Sequence, residues 1–164
     1  MRMASPIGAL ELTSDGAALC GIHMLGHDPP PIFNEVTAGE DAVLRATAAQ
    51  LAEYFAGTRQ VFDVPLRSDG TEFQRRVWAG LLKIPFGDRC SYQALARAIG
   101  ADNSSRAVGN ANRCNPISII VPCHRVVGSD GTLTGYAGGL PTKQWLLEHE
   151  ARVAARSGTF ALQA

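Results

Sequence analysis

A cysteine followed at once by a histidine and an arginine, Cys123-His124-Arg125, closes a short apolar run, Ile117-Ser118-Ile119-Ile120-Val121, through Pro122. A strand or extended segment that feeds a thiol and an imidazole into a turn suits nucleophilic chemistry. The attacking species is a thiolate, so a reactive cysteine needs a neighbouring base, cation or helix terminus to bring its pKa below about 8.5. His124 and Arg125 are the local candidates. Adjacent side chains of an extended segment point to opposite faces, so His124 reaches the sulfur through a water or a turn. Taken alone, the dipeptide fits a buried cysteine beside a structural histidine. The residues after it favour chemistry. Gly128, Gly131, Gly135, Gly138 and Gly139 punctuate a loop that holds Tyr136, a wall suited to a flat ligand, and Pro141 can open a helix behind it. In that helix, about 141–154, Leu146, Glu150 and Val153 share a face, which partly buries Glu150. A buried carboxylate needs a partner, and His124 is the natural one.

The elements that position these residues are readable upstream. Ser91 can cap a short helix carrying Leu95, Ala96 and Ile99, stopped by Gly100, and a second begins near Ser104 or Ser105 and runs to about Arg113. Two short helices joined by Gly100-Ala101-Asp102-Asn103 have the outline of a helix-turn-helix, although any helical hairpin looks alike. Arg106, Gly109, Asn110 and Arg113 fall on one face of the second helix, suited to a phosphate backbone or a groove. Gly109 suggests close backbone approach, either to a ligand or to another helix. Before this pair, Thr71 and Gln74 form a capping-box pattern, and Phe73, Val77 and Leu81, widened by Trp78 and Leu82, make a buried stripe. The amino-terminal part begins with strands at 9–13 and 19–24, joined across Ser14-Asp15-Gly16. Prolines at 29–31 interrupt it. A helix from about Glu40 to Phe55 carries Leu44, Ala48, Leu51 and Phe55 and stops at Gly57, and Gln60 to Leu66 reads as a third strand. The expected division is 1–68 and 69–164.

Composition narrows the function. The 164 residues are 46% apolar and 18% charged, a balance that excludes a disordered chain and leaves room for one or two small domains. Fifteen basic and fifteen acidic residues give no long-range pull toward a polyanion, so such a partner must be held by a local patch. No signal core and no membrane-spanning run is present, which points to a soluble cytoplasmic protein. Cys20, Cys90, Cys114 and Cys123 lack paired zinc-type spacing. Cys20, His23 and His27 have no fourth ligand nearby and read as a core cysteine and two surface histidines.

Residues 120–127, Gly135-Tyr136-Ala137-Gly138-Gly139 and Lys143-Gln144-Trp145-Leu146-Leu147-Glu148-His149-Glu150 strongly resemble the DNA alkyltransferases that repair 6-O-alkylguanine. So do residues 73–78, Ser91-Tyr92 and residues 106–116. The match is close over about 71–150 and looser over 5–66, through Ser5-Pro6-Ile7-Gly8 and Tyr54-Phe55-Ala56-Gly57. The resemblance implies an α/β (α+β) fold: a small ribonuclease H-like α/β domain, then a helical domain bearing a helix-turn-helix and the active cysteine. It implies transfer of the alkyl group of 6-O-alkylguanine, and of 4-O-alkylthymine, to the protein's own cysteine, once per molecule. Cys123 would be the acceptor, His124 would take its proton through water, and Glu150 would orient the imidazole. Asn115 would brace the turn before the active segment, and Tyr92 would donate a proton toward N3 of the departing guanine. Arg106 would fill the gap left by a flipped base. Ala107, Gly109 and Ala111 would admit the helix to the minor groove, with Arg113 and Arg125 as further DNA contacts. Val126, Tyr136 and Ala137 would form the substrate pocket. The implied partner is double-stranded DNA containing alkylated guanine, bound by a monomer without membrane, cofactor or metal; cooperativity along DNA is left open.

Three departures from the pattern bear on these expectations. Position 137 is Ala where some relatives carry Ser, which removes one hydroxyl but keeps the backbone N–H. Cys114 stands where relatives often have a small residue, so oxidation sensitivity is expected. The amino-terminal part lacks the zinc-binding cysteines and histidines of some animal relatives, and no extra regulatory domain is expected. Competing readings are a non-enzymatic sensor of alkylated DNA, disfavoured because the acceptor cysteine is present, and a thiol hydrolase, which lacks an identifiable oxyanion hole.

Overall fold

The computed structural model describes residues 1–26 and 41–158. The chain divides into two compact units, Met1–Gly70 with Pro116–Ile120, and Thr71–Asn115 with Val121 onward. The return of 116–120 to the first unit differs from the expected division at 68/69, which gave that segment to the second domain.

The first unit is built on an antiparallel sheet of β1 (Arg2–Met3), β2 (Leu10–Ser14) and β3 (Leu19–Met24), in that order. Period-two alternation buries Leu10 and Leu12, with Ile22 opposite Leu12 and Leu19 also buried on β3. The β2–β3 turn is shaped by Asp15, whose carboxylate accepts from the N–H groups of Ala17 (2.9 Å) and Ala18 (2.8 Å), while Gly16 takes φ +89°. Helix α1 (Ala42–Ala56) packs on β2 and β3. Asp41 caps it, accepting from Val43 N (2.9 Å) and Leu44 N (3.1 Å), and Gly57 ends it in the left-handed region.

Several expectations are corrected here. The stripe Leu44, Ala48, Leu51, Phe55 is rotated: Thr47, Leu51 and Tyr54 are the buried residues of α1, and the Tyr54 ring meets Phe55 at 5.3 Å and Phe62 at 5.5 Å. No strand forms over 60–66. Val61 is 75% exposed, and only Leu66 makes a bridge, parallel to Leu19. Ile117 makes a second such bridge, to Ile22, so the outer edge of β3 is covered by two short segments instead of a full strand. The run 117–121 is likewise no strand. It turns at Ile119, which has φ +75° and is fully buried, and Ile120 N–H donates to Ser118 O at 2.9 Å. A β-branched residue at that φ costs of order 1–3 kcal/mol, which tertiary packing must offset. The prolines at 29–31, His27 and the expected helix start at Glu40 lie outside the described residues.

The second unit is helical: α2 (Glu72–Leu81), α3 (Tyr92–Ala98), α4 (Ser105–Arg113) and α5 (Leu140–Arg156). The capping box at Thr71 and Gln74 is formed, and Val77, Trp78 and Leu81 are buried, whereas Leu82 is 52% exposed and does not widen the stripe. Gly80 permits the close α2–α3 contact, since a Cβ there would stand 2.7 Å from Ile99 Cγ2. Trp78 Nε1 donates to Ala111 O at 2.9 Å, tying α2 to α4. Ser91 caps α3, and Gly100 and Asn103 turn the chain into α4 with positive φ. A two-stranded parallel sheet, β4 (Cys90–Ser91) with β5 (Val126–Val127), was not foreseen.

Candidate active site

Cys123, His124 and Arg125 form one turn of 3-10 helix leading into β5. This turn replaces the alternation of an extended segment, so consecutive side chains no longer oppose one another. Two asparagines fix its backbone. Asn115 Nδ2 donates to Val121 O at 2.8 Å, and Asn112 Nδ2 donates to Cys123 O at 3.3 Å. Val126 N–H also donates to Cys123 O. The carbonyls on either side of the thiol are thereby pinned.

His124 and Glu150 are fully buried, and Cys123 is 4% exposed. His124 Nε2 lies 2.7 Å from Glu150 Oε1. Arg125 holds the same carboxylate through Nε to Oε2 (2.8 Å) and Nη2 to Oε1 (3.0 Å), and its Nη1 donates to Ile84 O at 2.6 Å. Gly87 N–H adds a bond to Oε2 at 3.2 Å. Burial opposes ionisation of Glu150, but the attractions of His124 and Arg125 outweigh it and hold the carboxyl far below the usual range. Burial also lowers the His124 pKa, helped by Arg125 and opposed by Glu150. A neutral imidazole beside an anionic carboxylate must place its proton on Nε2, because the carboxylate can only accept. Nδ1, buried and without a protein hydrogen-bond partner, is then the nitrogen that can take a proton.

The expected residues fall into two groups. Cys123, His124, Glu150 and Asn115 converge around the 3-10 turn. Tyr136 joins them: its hydroxyl is buried without a hydrogen-bond partner, and its pKa is raised well above the ordinary value by burial, then by the charges of Cys123 and Glu150. Val126 is buried in β5, and Ala137 is exposed. The second group lines an open groove of about 380 Å³ that includes Tyr92, Arg106, Gly109, Asn110, Arg113, Thr134 and Gly135. Tyr92 opens α3, and its hydroxyl donates to Thr134 O at 3.3 Å. Arg106, Ala107 and Arg113 are exposed. A Cβ on Gly109 would meet the Tyr92 ring at 3.7 Å, an ordinary contact, so packing inside the protein does not demand glycine there.

Two expectations are corrected. Arg125 is no surface contact: it is 7% exposed, and its guanidinium is committed to Glu150 and Ile84 O, with Phe86 beside it at 5.7 Å. Ala111 is 3% exposed and faces the core, its carbonyl receiving Trp78. Sequence reasoning also missed Asn112 and the fully buried Lys143. Lys143, Leu146 and Glu150 stand at i, i+3 and i+7 of α5, a periodicity that would have flagged Lys143 as inward-facing.

Comparison with known proteins places this geometry. Residues 72–152 match the model of the 6-O-methylguanine DNA methyltransferase DNA-binding domain, and residues 2–68 match the ribonuclease-like domain of the same proteins. The chain belongs to the 6-O-methylguanine DNA methyltransferase family. A methylated-DNA–protein-cysteine methyltransferase of Mycobacterium tuberculosis is 49% identical over 146 residues, 89% of this chain and 88% of the relative. One from Methanosarcina acetivorans is 44% identical over 146 residues, 89% of this chain and 94% of the relative. The crystal structure of Mycobacterium tuberculosis OGT in complex with DNA superposes with a TM-score of 0.82 at 44% identity, covering 93% of this chain and 92% of that one. The α/β (α+β) fold expected for a methyltransferase of this family is therefore present, a small sheet unit followed by a helical one. Among the described residues, no helix is long and apolar enough to cross a membrane.

Proposed function

We propose that this methyltransferase repairs double-stranded DNA by moving the alkyl group from the 6-oxygen of guanine, and from the 4-oxygen of thymine, onto Cys123, once per molecule. The observation that carries this reading is the His124–Glu150–Arg125 arrangement, which leaves Nδ1 of a neutral imidazole as a base one residue from a buried thiol. His124 takes the Cys123 proton through water. The thiolate attacks the alkyl carbon, the C–O bond breaks, and its electron pair passes into the guanine ring. Tyr92 gives a proton to N3 as the base departs, and the phenol is restored by the proton that left the thiol. The products are guanine and an S-alkylcysteine, a thioether that does not hydrolyse, so the protein is spent. The target base must leave the stack, at a cost of a few kcal/mol. Arg106, exposed beside the groove, fills the vacated position, with Arg113 on phosphate and Ala107 and Gly109 allowing close approach.

The test is intact mass after mixing with a duplex carrying one 6-O-methylguanine, followed by peptide mapping. One methyl group on Cys123 per molecule, with no further turnover, is the expected result, and Cys123→Ala should lose it while still binding DNA. Lesion-selective binding without mass gain would overturn the reading in favour of a non-enzymatic sensor.

A further inference from the structure

Lys143, near the start of α5, is fully buried and takes no part in the proposed transfer chemistry. Its Nζ donates to Thr134 O at 2.9 Å and stands 5.9 Å from the centre of the Tyr92 ring. The same carbonyl accepts from the Tyr92 hydroxyl at 3.3 Å. Thr134 O thus has two donors of unequal strength, a short charge-assisted one and a long neutral one. The inequality matters to Tyr92. A phenol that is to donate to a departing base must release its resting acceptor, and a carbonyl stripped of its donor resists that release. With the ammonium already on Thr134 O, the phenol can turn away and leave the carbonyl satisfied.

We propose that Lys143 is a positioning residue for alkyl transfer, acting through the Thr134 carbonyl to keep the Tyr92 hydroxyl available to the leaving base. This rests on the proposed role of Tyr92 as proton donor. Two reactions of Cys123 separate the role from mere support of the fold. Transfer from saturating 6-O-methylguanine duplex requires protonation of the leaving base. Alkylation by iodoacetamide expels iodide and needs no phenol.

In Lys143→Met, saturated transfer should slow about tenfold or more, a part of the roughly 10²–10⁴-fold that a positioned general acid contributes. Half-saturation by DNA should be unchanged, and the iodoacetamide rate should stay within about twofold. Tyr92→Phe should slow transfer by itself, and adding Lys143→Met to it should cost nothing more. Equal slowing of both reactions, a multiplicative loss in the double variant, or normal transfer by Lys143→Met would each overturn the proposal. A wild-type transfer rate in Tyr92→Phe would overturn it together with the donor role of Tyr92. Absence of any methyl gain in the wild-type protein would instead sink the proposed function itself. Lys143→Leu, which likewise removes the donor to Thr134 O, carries the same tests if the methionine variant does not melt cooperatively.

Discussion

Replacing Arg125 by methionine tests whether this residue serves the core or the DNA surface. Methionine keeps the unbranched stem but deletes two bonds to Glu150 and one to Ile84 O. Glu150 is fully buried and would keep His124 and the long bond from Gly87 but lose the guanidinium. Removing one partner of a buried pair typically costs about 3–5 kcal/mol, because the other charge stays desolvated. With an m-value of about 2 kcal/mol/M for a chain of this size, the urea midpoint should fall by roughly 1.5–2.5 M. Arg125→Met with Glu150→Gln should be less destabilised than the two single changes summed, since the amide no longer demands a cation. Binding to unmodified duplex, measured between 50 and 200 mM salt on the folded fraction, should keep its salt slope. A loss below about 1 kcal/mol together with a slope reduced by about one would refute the buried-pair argument and return Arg125 to the phosphates.

Acid should destabilise the fold in two windows. The folded His124 pKa lies below its ordinary 6.5, so the unfolded chain binds the extra proton and stability declines as pH falls below that value; His124→Gln should abolish this limb of a pH-dependent urea series. Glu150 is depressed from 4.5, so its contribution is complete above that pH and is lost on further acidification. Asn115→Ala strips one buried donor from Val121 O and should cost about 1–3 kcal/mol while slowing transfer more than it weakens DNA binding; unchanged single-turnover kinetics would count against a bracing role. Arg106→Ala should lower both affinity and transfer, with the salt slope falling by about one, and an unaltered titration would remove it from the interface. Gly109→Ala should raise stability by up to about 1 kcal/mol, because the new Cβ meets the Tyr92 ring at 3.7 Å without overlap, yet weaken duplex binding by narrowing the groove. Equal affinity of the two proteins would show that DNA approaches elsewhere.

What was legible in the sequence rested on local rules, and what was not depended on distant partners. The capping box at Thr71, the Ser91 cap and the β2–β3 turn are short-range hydrogen-bond patterns, and each formed where the residue types required it. The His124–Glu150 pair was legible because a helical period placed a carboxylate on an apolar face and few residues could neutralise it. The third strand failed because alternation at 61–66 is incomplete and Val61 has no apolar surface to cover. The run 117–121 failed for a different reason. Its composition is that of a strand, but Ile119 is forced to positive φ by the turn that precedes the cysteine, and no propensity rule anticipates a strained β-branched residue. Arg125 was misassigned because a charged residue next to a nucleophile in a DNA-binding chain reads as a surface contact, while its partners lie 25 and 41 residues away.

Arg125 also bears on why His124 can act as a base. A histidine facing a lone buried carboxylate is drawn toward the charged imidazolium, since that pair neutralises itself. Such a ring would hold its proton and could not accept one from a thiol. Here burial lowers the His124 pKa most, the guanidinium's charge lowers it further, and its two bonds neutralise Glu150, so the carboxylate orients the imidazole without protonating it. The same two bonds thus serve both stability and proton transfer, and the two effects are separable. Arg125→Lys preserves a charge but not the fork, so it should retain part of the stability while loosening Glu150. If the guanidinium's charge helps keep His124 neutral, the acid limb of the transfer rate should stay near the wild type in Arg125→Lys and move to higher pH in Arg125→Met, where the charge is gone. An acid limb in Arg125→Met unchanged from the wild type, measured on folded protein at saturating DNA, would mean that burial alone keeps the imidazole neutral.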